Sequence, residues 1–233
     1  MLERTANQIQ SMEDKQLSSI FDSARNQLSV WDLGELDPVT SRSDWHPADF
    51  RNAETPLTLY LCVSPPDIQR FASVLRVIIG QHLDYFLEQL PEPQDSDIMF
   101  FLDEAPQLGN FEPLPKASSL GRQYGIKLWL FAQNKNQIET AYPDAASILG
   151  NAVVQCWMNV DERSGSELEQ NLGRSKNVFT GREEPLASSQ ELRGPDFKEK
   201  IIIVGRGERP ALLDKHYAYN DESLREITGI KPS

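Results

Sequence analysis

Two spacings of apolar residues alternate along this chain. Short, largely apolar runs at residues 57–63, 98–102, 126–132 and 152–158 are separated by stretches in which apolar residues recur every three or four positions. The first spacing predicts strands, and the second predicts helices that turn one stripe toward a core. The clearest helical stretch carries Ile68, Phe71, Leu75, Ile78, Ile79, His82, Phe86 and Leu90 and ends before Pro91 and Pro93. Helices are also expected around residues 115–124, with Pro115 in the first turn, and around 137–149. Another should follow Ser164, which with Glu167 has the spacing of a capping box. Residues 200–204 and 211–219 read as strands joined by Gly205-Arg206-Gly207-Glu208-Arg209-Pro210, a hairpin turn. No helix opens after that Gly-x-Gly, so it is poor evidence for a phosphate cradle.

Sustained alternation of this kind predicts an α/β fold, with a mostly parallel sheet covered by helices on both faces. Before it lies a polar, helix-permissive arm whose Leu17, Ile20, Phe21, Ala24 and Leu28 share one face, followed by a connector rich in Asp, Pro and Ser. A domain boundary is therefore expected within that connector, between Gly34 and Pro47.

A chain of 233 residues is long enough to bury a full core. Its formal charge of -12 repels polyanions, so any nucleic-acid contact would need a local basic patch, and the sequence has no strong one. Cys62 and Cys156 lie far apart in apolar runs, the pattern of reduced core thiols in a cytoplasmic protein rather than a disulfide or metal framework. His46, His82 and His216 are scattered without metal-ligand spacing, and His82 falls on a helix stripe as a satisfied core histidine would. The N-terminus lacks a signal-peptide core, and no apolar run approaches the roughly 20 residues of a membrane helix. The chain as given is expected to be soluble.

The candidate chemistry gathers around Ile98-Met99-Phe100-Phe101-Leu102-Asp103-Glu104, an apolar run ending in two carboxylates. A run without a polar face suits a central parallel strand, and such sheets bind ligands beyond their carboxyl ends. There one carboxylate can hold a Mg²⁺ shell while the next polarises an attacking water, although a strand ending in a solvated acidic turn has the same pattern. Gln133 follows the next strand directly and would lie at the same edge, able to bond a phosphate or a water, or to be a surface amide. Arg122, near a helix end before Gly125, suits either a solvated cap or a guanidinium offered to a neighbouring subunit's phosphates.

Four blocks in order carry a family resemblance: Phe101-Leu102-Asp103-Glu104-Ala105-Pro106-Gln107-Leu108-Gly109, Gly121-Arg122-Gln123-Tyr124-Gly125-Ile126, Leu128-Trp129-Leu130-Phe131-Ala132-Gln133 and Ile148-Leu149-Gly150-Asn151-Ala152. Together they resemble the type IV secretion coupling proteins, the TraG/TraD class of conjugative DNA-transfer ATPases. The resemblance implies a RecA-like P-loop NTPase fold, incomplete at its N-terminal side, that forms a hexameric ring and uses ATP and Mg²⁺. In the family that ring moves single-stranded or relaxase-bound DNA toward a type IV secretion channel, at the cytoplasmic side of the bacterial inner membrane. It further implies Asp103 and Glu104 as the Walker B pair, with Asp103 on the metal, Gln133 as the sensor glutamine on the nucleotide, and Arg122 as an arginine finger. The arm before Gly34 resembles the end of the family's all-α domain, and the chain rejoins the motor fold near Trp45, which implies residues 1–44 as helical arm and linker and 45–233 as the C-terminal part of the motor domain.

One family element is missing from these 233 residues: no Gly-x-x-x-x-Gly-Lys-Ser/Thr occurs, and Gly121 to Lys127 has the wrong spacing and leads into a strand. Without backbone amides and a lysine for the β- and γ-phosphates, the carboxylates have little to act on. The chain thus reads as the C-terminal, Walker B part of a coupling protein, or as an inactive oligomerisation or substrate-docking module. An unrelated α/β hydrolase would need a nucleophile motif or a second spaced acid, and the sequence has neither.

Overall fold

The computed structural model describes residues 12–52, 55–176 and 181–229; the first 11 residues of the expected arm lie outside these. Two compact units form, the described residues of Met1–Gln133 with Gln137–Ile148, and those of Asn134–Asn136 with Leu149–Ser233.

The first unit is built on α4 (Ile68–Glu88), whose three-and-four spacing produces one buried stripe of Ala72, Val74, Ile79, Leu83, Phe86 and Leu87. The helix stops at Gln89, which turns extended ahead of Pro91. Before it come α1 (Asp14–Leu28), α2 (Asp37–Thr40) and α3 (Asp49–Asn52). Val30 and Leu36, beyond α1, bury against Val74 of α4 and form a small core of their own. Both ring nitrogens of His82 are engaged: its Nδ1 bonds the Ile78 carbonyl at 2.7 Å, and its Nε2 accepts from Trp45 Nε1 at 3.0 Å.

β1 (Ile98–Leu102) and β2 (Ile126–Leu130) pair in parallel from Ile98 opposite Ile126 to Leu102 opposite Leu130. They are joined through α5 (Pro113–Leu120) and a tight turn at Gly121–Tyr124. Side chains alternate across a strand, so Ile98, Leu102 and Ile126 go down onto Leu83, Phe86 and Leu114 in the main core. Met99, Phe101 and Trp129 go to the opposite face, where they are exposed.

The chain continues through α6 (Lys135–Ala141) and α7 (Ala145–Asn151). In the second unit, β3 (Val154–Trp157), β6 (Lys200–Gly205) and β7 (Ala211–Asp214) form an antiparallel sheet in the order β3-β6-β7. α8 (Glu162–Leu172), the hairpin of β4 (Arg174–Lys176) with β5 (Glu183–Pro185), α9 (Ser189–Leu192) and α10 (Glu222–Thr228) complete it. Its core joins Leu168, Ala187, Leu192 and Ile202. Gly205 to Pro210 is the expected hairpin turn, between antiparallel β6 and β7.

Several local expectations change. Residues 57–63 form no strand and pair with none among the described residues, and Tyr60 is 79% exposed, because a β-run needs a neighbour for its backbone bonds. The helix expected over 137–149 breaks into α6 and α7 at Pro143, which has no amide to donate and disfavours helical geometry in Tyr142. Ser164 is not a cap: Asp161 caps α8 by accepting from the Ser164 amide at 2.8 Å, and the capping box belongs to Ser188 and Glu191 at α9. The strand expected to reach residue 219 ends at Asp214. Cys62 and Cys156 are free thiols but both are exposed: the run holding Cys62 pairs with no strand among the described residues, and Cys156 shares the exposed face of β3 with Val154.

Candidate functional site

The ends of β1 and β2 are tied together beyond the regular ladder. Phe131 donates to the Leu102 carbonyl at 3.0 Å, and Ala105 donates to the Phe131 carbonyl at 3.0 Å. Between those bonds the chain must reverse, and Glu104 does so in the left-handed region at φ 49° and ψ 41°. That conformation costs a side-chain-bearing residue roughly 1–2 kcal/mol, so the surroundings must hold it. They do so through Gln107, which donates to the Glu104 carbonyl at 2.8 Å, and through Tyr142, whose hydroxyl donates to the Ala105 carbonyl at 2.7 Å. Tyr142 is 1% exposed, and burial pushes its pKa up to about 12 despite the nearby Arg76 guanidinium.

This frame gathers three of the four residues singled out in the sequence. Gln133 Nε2 donates to Glu104 Oε1 at 3.0 Å, while Glu104 Oε2 is buried without a hydrogen-bond partner. Asp103 is exposed beside them, and its Oδ1 accepts from the Glu104 amide at 3.1 Å. Gln133 is braced by Gln137, which accepts from the Gln133 amide at 3.1 Å and donates to its side-chain oxygen at 3.4 Å. Arg122 stands apart. It precedes β2, whereas the carboxylates follow β1, so the parallel register sets the two ends of a five-residue strand, about 16 Å, between them. Gly125, at φ +64°, makes the turn from the Arg122 segment into β2.

Gln137 and Tyr142 are the supporting residues that pattern reasoning passed over. Gln137 has the i+4 spacing to Gln133 but no chemical singularity, and Tyr142 reads as one more helical aromatic until Pro143 breaks the helix around it.

The donors fit the metal half of a Mg²⁺–nucleotide site. Mg²⁺ takes one or two carboxylates and completes its shell with water and phosphate oxygens, which suits the exposed Asp103. The unpartnered Glu104 oxygen is a desolvated acceptor with room in its bonding for a water. No group of three or more His, Cys, Asp or Glu among the described residues would cage an ion by itself. No described helix is long and apolar enough to cross a membrane.

The chain is similar to known proteins in sequence and in fold. The family described as Type IV secretory system Conjugative DNA transfer matches residues 3–229. The VirD4 protein of Rhizobium rhizogenes is 26% identical over 221 residues, covering 86% of this chain and 32% of that protein. A conjugal transfer protein TraG of Escherichia coli is 26% identical over 164 residues, covering 64% of this chain and 25% of that protein. Among solved structures, the plasmid coupling protein TrwB with a non-hydrolysable GTP analogue superposes at TM-score 0.71 and 15% identity, over 90% of this chain and 53% of TrwB. TrwB with ADP and Mg²⁺ gives TM-score 0.70 at 15% identity, over 88% of this chain and 51% of TrwB. The chain spans about a third of the length of the VirD4 relative, and its fold is part of the α/β, RecA-like architecture of these coupling proteins. With the match running over nearly all 233 residues, the chain belongs to the type IV secretory system conjugative DNA-transfer family of coupling proteins.

Proposed function

We propose that this chain carries the water-activating half of an ATP-driven coupling protein that moves DNA or nucleoprotein toward a type IV secretion channel. One observation carries the reading: at the carboxyl ends of a parallel strand pair, Glu104 has one oxygen held by Gln133 and the other buried without a partner. A bound Mg²⁺–nucleotide would supply the phosphoryl group and the charge neutralisation. Asp103, exposed beside Glu104, would hold the water shell of that metal. Glu104 Oε2 accepts a hydrogen bond from the attacking water and orients it. Gln133, positioned by Gln137, bonds the nucleotide and passes its state into the segment that leads to α6. Arg122, at the far end of β2, acts on the site of a neighbouring copy in a homo-oligomeric, hexameric ring. Residues 1–44 belong to the all-α domain and 45–233 to the motor, with the relaxase–DNA complex and channel components as partners at the cytoplasmic side of the inner membrane.

A second reading, a docking module without turnover, is favoured by a separate fact: the 233 residues contain no glycine-rich loop with lysine for the phosphates. On either reading calorimetry should find no Mg²⁺–ATP binding by the chain alone; turnover separates the two. In a coupling protein that includes the phosphate loop, Glu104→Gln should retain ATP and lower turnover by about 10²–10⁴-fold, the range of a general base. Hydrolysis at the unaltered rate in that variant would refute the catalytic reading.

A further inference from the structure

Helix α4 carries a second polar cluster, remote in sequence from the carboxylates. Its Gln69, Ser73 and Arg76 recur at spacings of four and three and so share one face. With Arg70 they line one side of a cleft of about 420 Å³, while Asn26 and Ser29, at the end of α1, line the other. Sites for small molecules span roughly 300–1,000 Å³. Val30 and Leu33 add an apolar wall. The polar lining brings guanidiniums, side-chain amides and hydroxyls, and no carboxylate.

The anchor of the cleft is Arg76. It is half-buried and forms no ion pair among the described residues, in a chain whose formal charge is -12. A partly desolvated cation without a counterion is costly, and a bound anion would relieve that cost. Arg76 Nη1 donates to the Leu108 carbonyl at 2.7 Å. A guanidinium has five N–H donors in a planar fork, so the edge formed by Nε and Nη2 is left for two oxygens of one oxyanion. Ser73 and Asn26 spend no side-chain bond on another described residue. Arg70 stands at the rim, its charge shared with Glu35 at 3.3 Å and Asp67 at 3.9 Å. The net negative charge of the chain repels a polyanion, whereas a single small dianion responds chiefly to the cations lining the cleft.

The same residues touch the turn behind the carboxylates. Leu108 ends the turn Ala105–Leu108, which follows Glu104 and is clamped at its start by Tyr142. Gln69 reaches this turn as well, its Nε2 donating to Gln107 Oε1 at 3.5 Å. We propose that the cleft between the end of α1 and α4 binds a small phosphate, inorganic or a monoester, with Arg76 taking two of its oxygens, and that its occupation steadies the turn after Glu104. The site does not depend on the nucleotide reading above.

Inorganic phosphate titrated into the intact 233-residue chain should bind with a Kd on the order of 1 mM, the strength of two or three charge-assisted bonds. Constant ionic strength removes general screening from the comparison. Phenyl phosphate should compete for the site, with its ring against Val30 and Leu33. Arg76→Gln should abolish binding, but it also removes the bond to Leu108. Ser73→Asp keeps that bond and places a carboxylate three residues from Arg76 on the same face. It should fold, as circular dichroism would verify, and weaken phosphate binding about tenfold or more. In the unaltered chain phosphate should slow hydrogen exchange at the Gln107 and Gly109 amides, which donate to the Glu104 and Pro106 carbonyls of the turn, and Ser73→Asp should lose that slowing. Mg²⁺–ATP, whose terminal oxygens the metal takes, should not compete. Absence of binding, equal binding by Ser73→Asp, exchange indifferent to phosphate, displacement by Mg²⁺–ATP, or tighter binding of an oligonucleotide without terminal phosphates would each overturn the inference.

Discussion

Replacing Tyr142 by Phe removes one oxygen from the interior of the first unit, and its consequence can be worked out at two pH values. At neutral pH the hydroxyl donates to the Ala105 carbonyl at 2.7 Å in a place where water cannot substitute, since Tyr142 is 1% exposed. A buried hydrogen bond contributes about 0.5–1.5 kcal/mol net, and leaving its acceptor less satisfied raises the cost, so Tyr142→Phe should destabilise by about 1–2 kcal/mol. For a unit of this size that is a fall in Tm of about 2–8 °C. In alkali the wild type loses this advantage. Burial raises the tyrosine pKa from 10.0 to about 12 in the folded chain, so this stabilising contribution is complete below pH 10 and is lost as pH rises toward 12. At pH 11 the unfolded chain is mostly ionised at this site and the folded chain is not, which removes about 1.4 kcal/mol from the wild type and nothing from the phenylalanine variant. The variant's deficit should therefore shrink to near zero at pH 11. Urea unfolding followed by near-ultraviolet circular dichroism at pH 7, 9, 10 and 11 measures this, and other titrating groups cancel in the difference. A deficit constant across that range, or one below 0.5 kcal/mol at pH 7, would refute the buried-donor account.

Three further outcomes are expected. Gly125→Ala should cost about 1–2 kcal/mol, because φ is +64° there and the added Cβ would lie 3.0 Å from Asp97 Oδ1; chemical denaturation reads it, and an unchanged midpoint would contradict it. His82→Phe takes away the acceptor for Trp45 Nε1, so Trp45 should become more mobile, with lower fluorescence anisotropy and a stability loss of about 1 kcal/mol. Lys135→Met deletes a 2.6 Å pair with the half-buried Glu167 and should destabilise the second unit by about 1 kcal/mol at low salt and by less in 1 M salt; equal effects at both would argue that the stem packing, not the charge, matters.

The long amphipathic helix, the strands at β1 and β2, and the adjacency of Asp103, Glu104 and Gln133 were legible because hydrophobic spacing and strand order are local and directional. The apolar runs at β1 and β2 do pair in parallel, so the residues just after each emerge at the same sheet edge. The β6–β7 hairpin was legible for a related reason, since its glycine turn lacks a following helix. Other features depended on partners distant in the chain. Whether residues 57–63 become a strand is decided by a neighbour's free amides and carbonyls, and none among the described residues meets them. Whether Ser164 or Asp161 caps α8 depends on where the chain leaves Val160, which spacing alone does not give.

The sequence by itself determined the class of fold and the chemical inventory, because residue type and spacing are written in it; strand direction is not, since the apolar run that forms β3 pairs antiparallel with β6. Only the tertiary structure decided that Glu104 turns left-handed, with one oxygen on Gln133 and one unpartnered, and that Tyr142 clamps the turn behind it. It also decided that Arg122 lies a strand's length from the carboxylates and that Met99, Phe101 and Trp129 stand exposed on one face of the parallel pair. The physical reason is the same in each case: hydrogen-bond satisfaction and burial belong to pairs of residues brought together across the chain, and neither is a property of one residue or of its sequence neighbours.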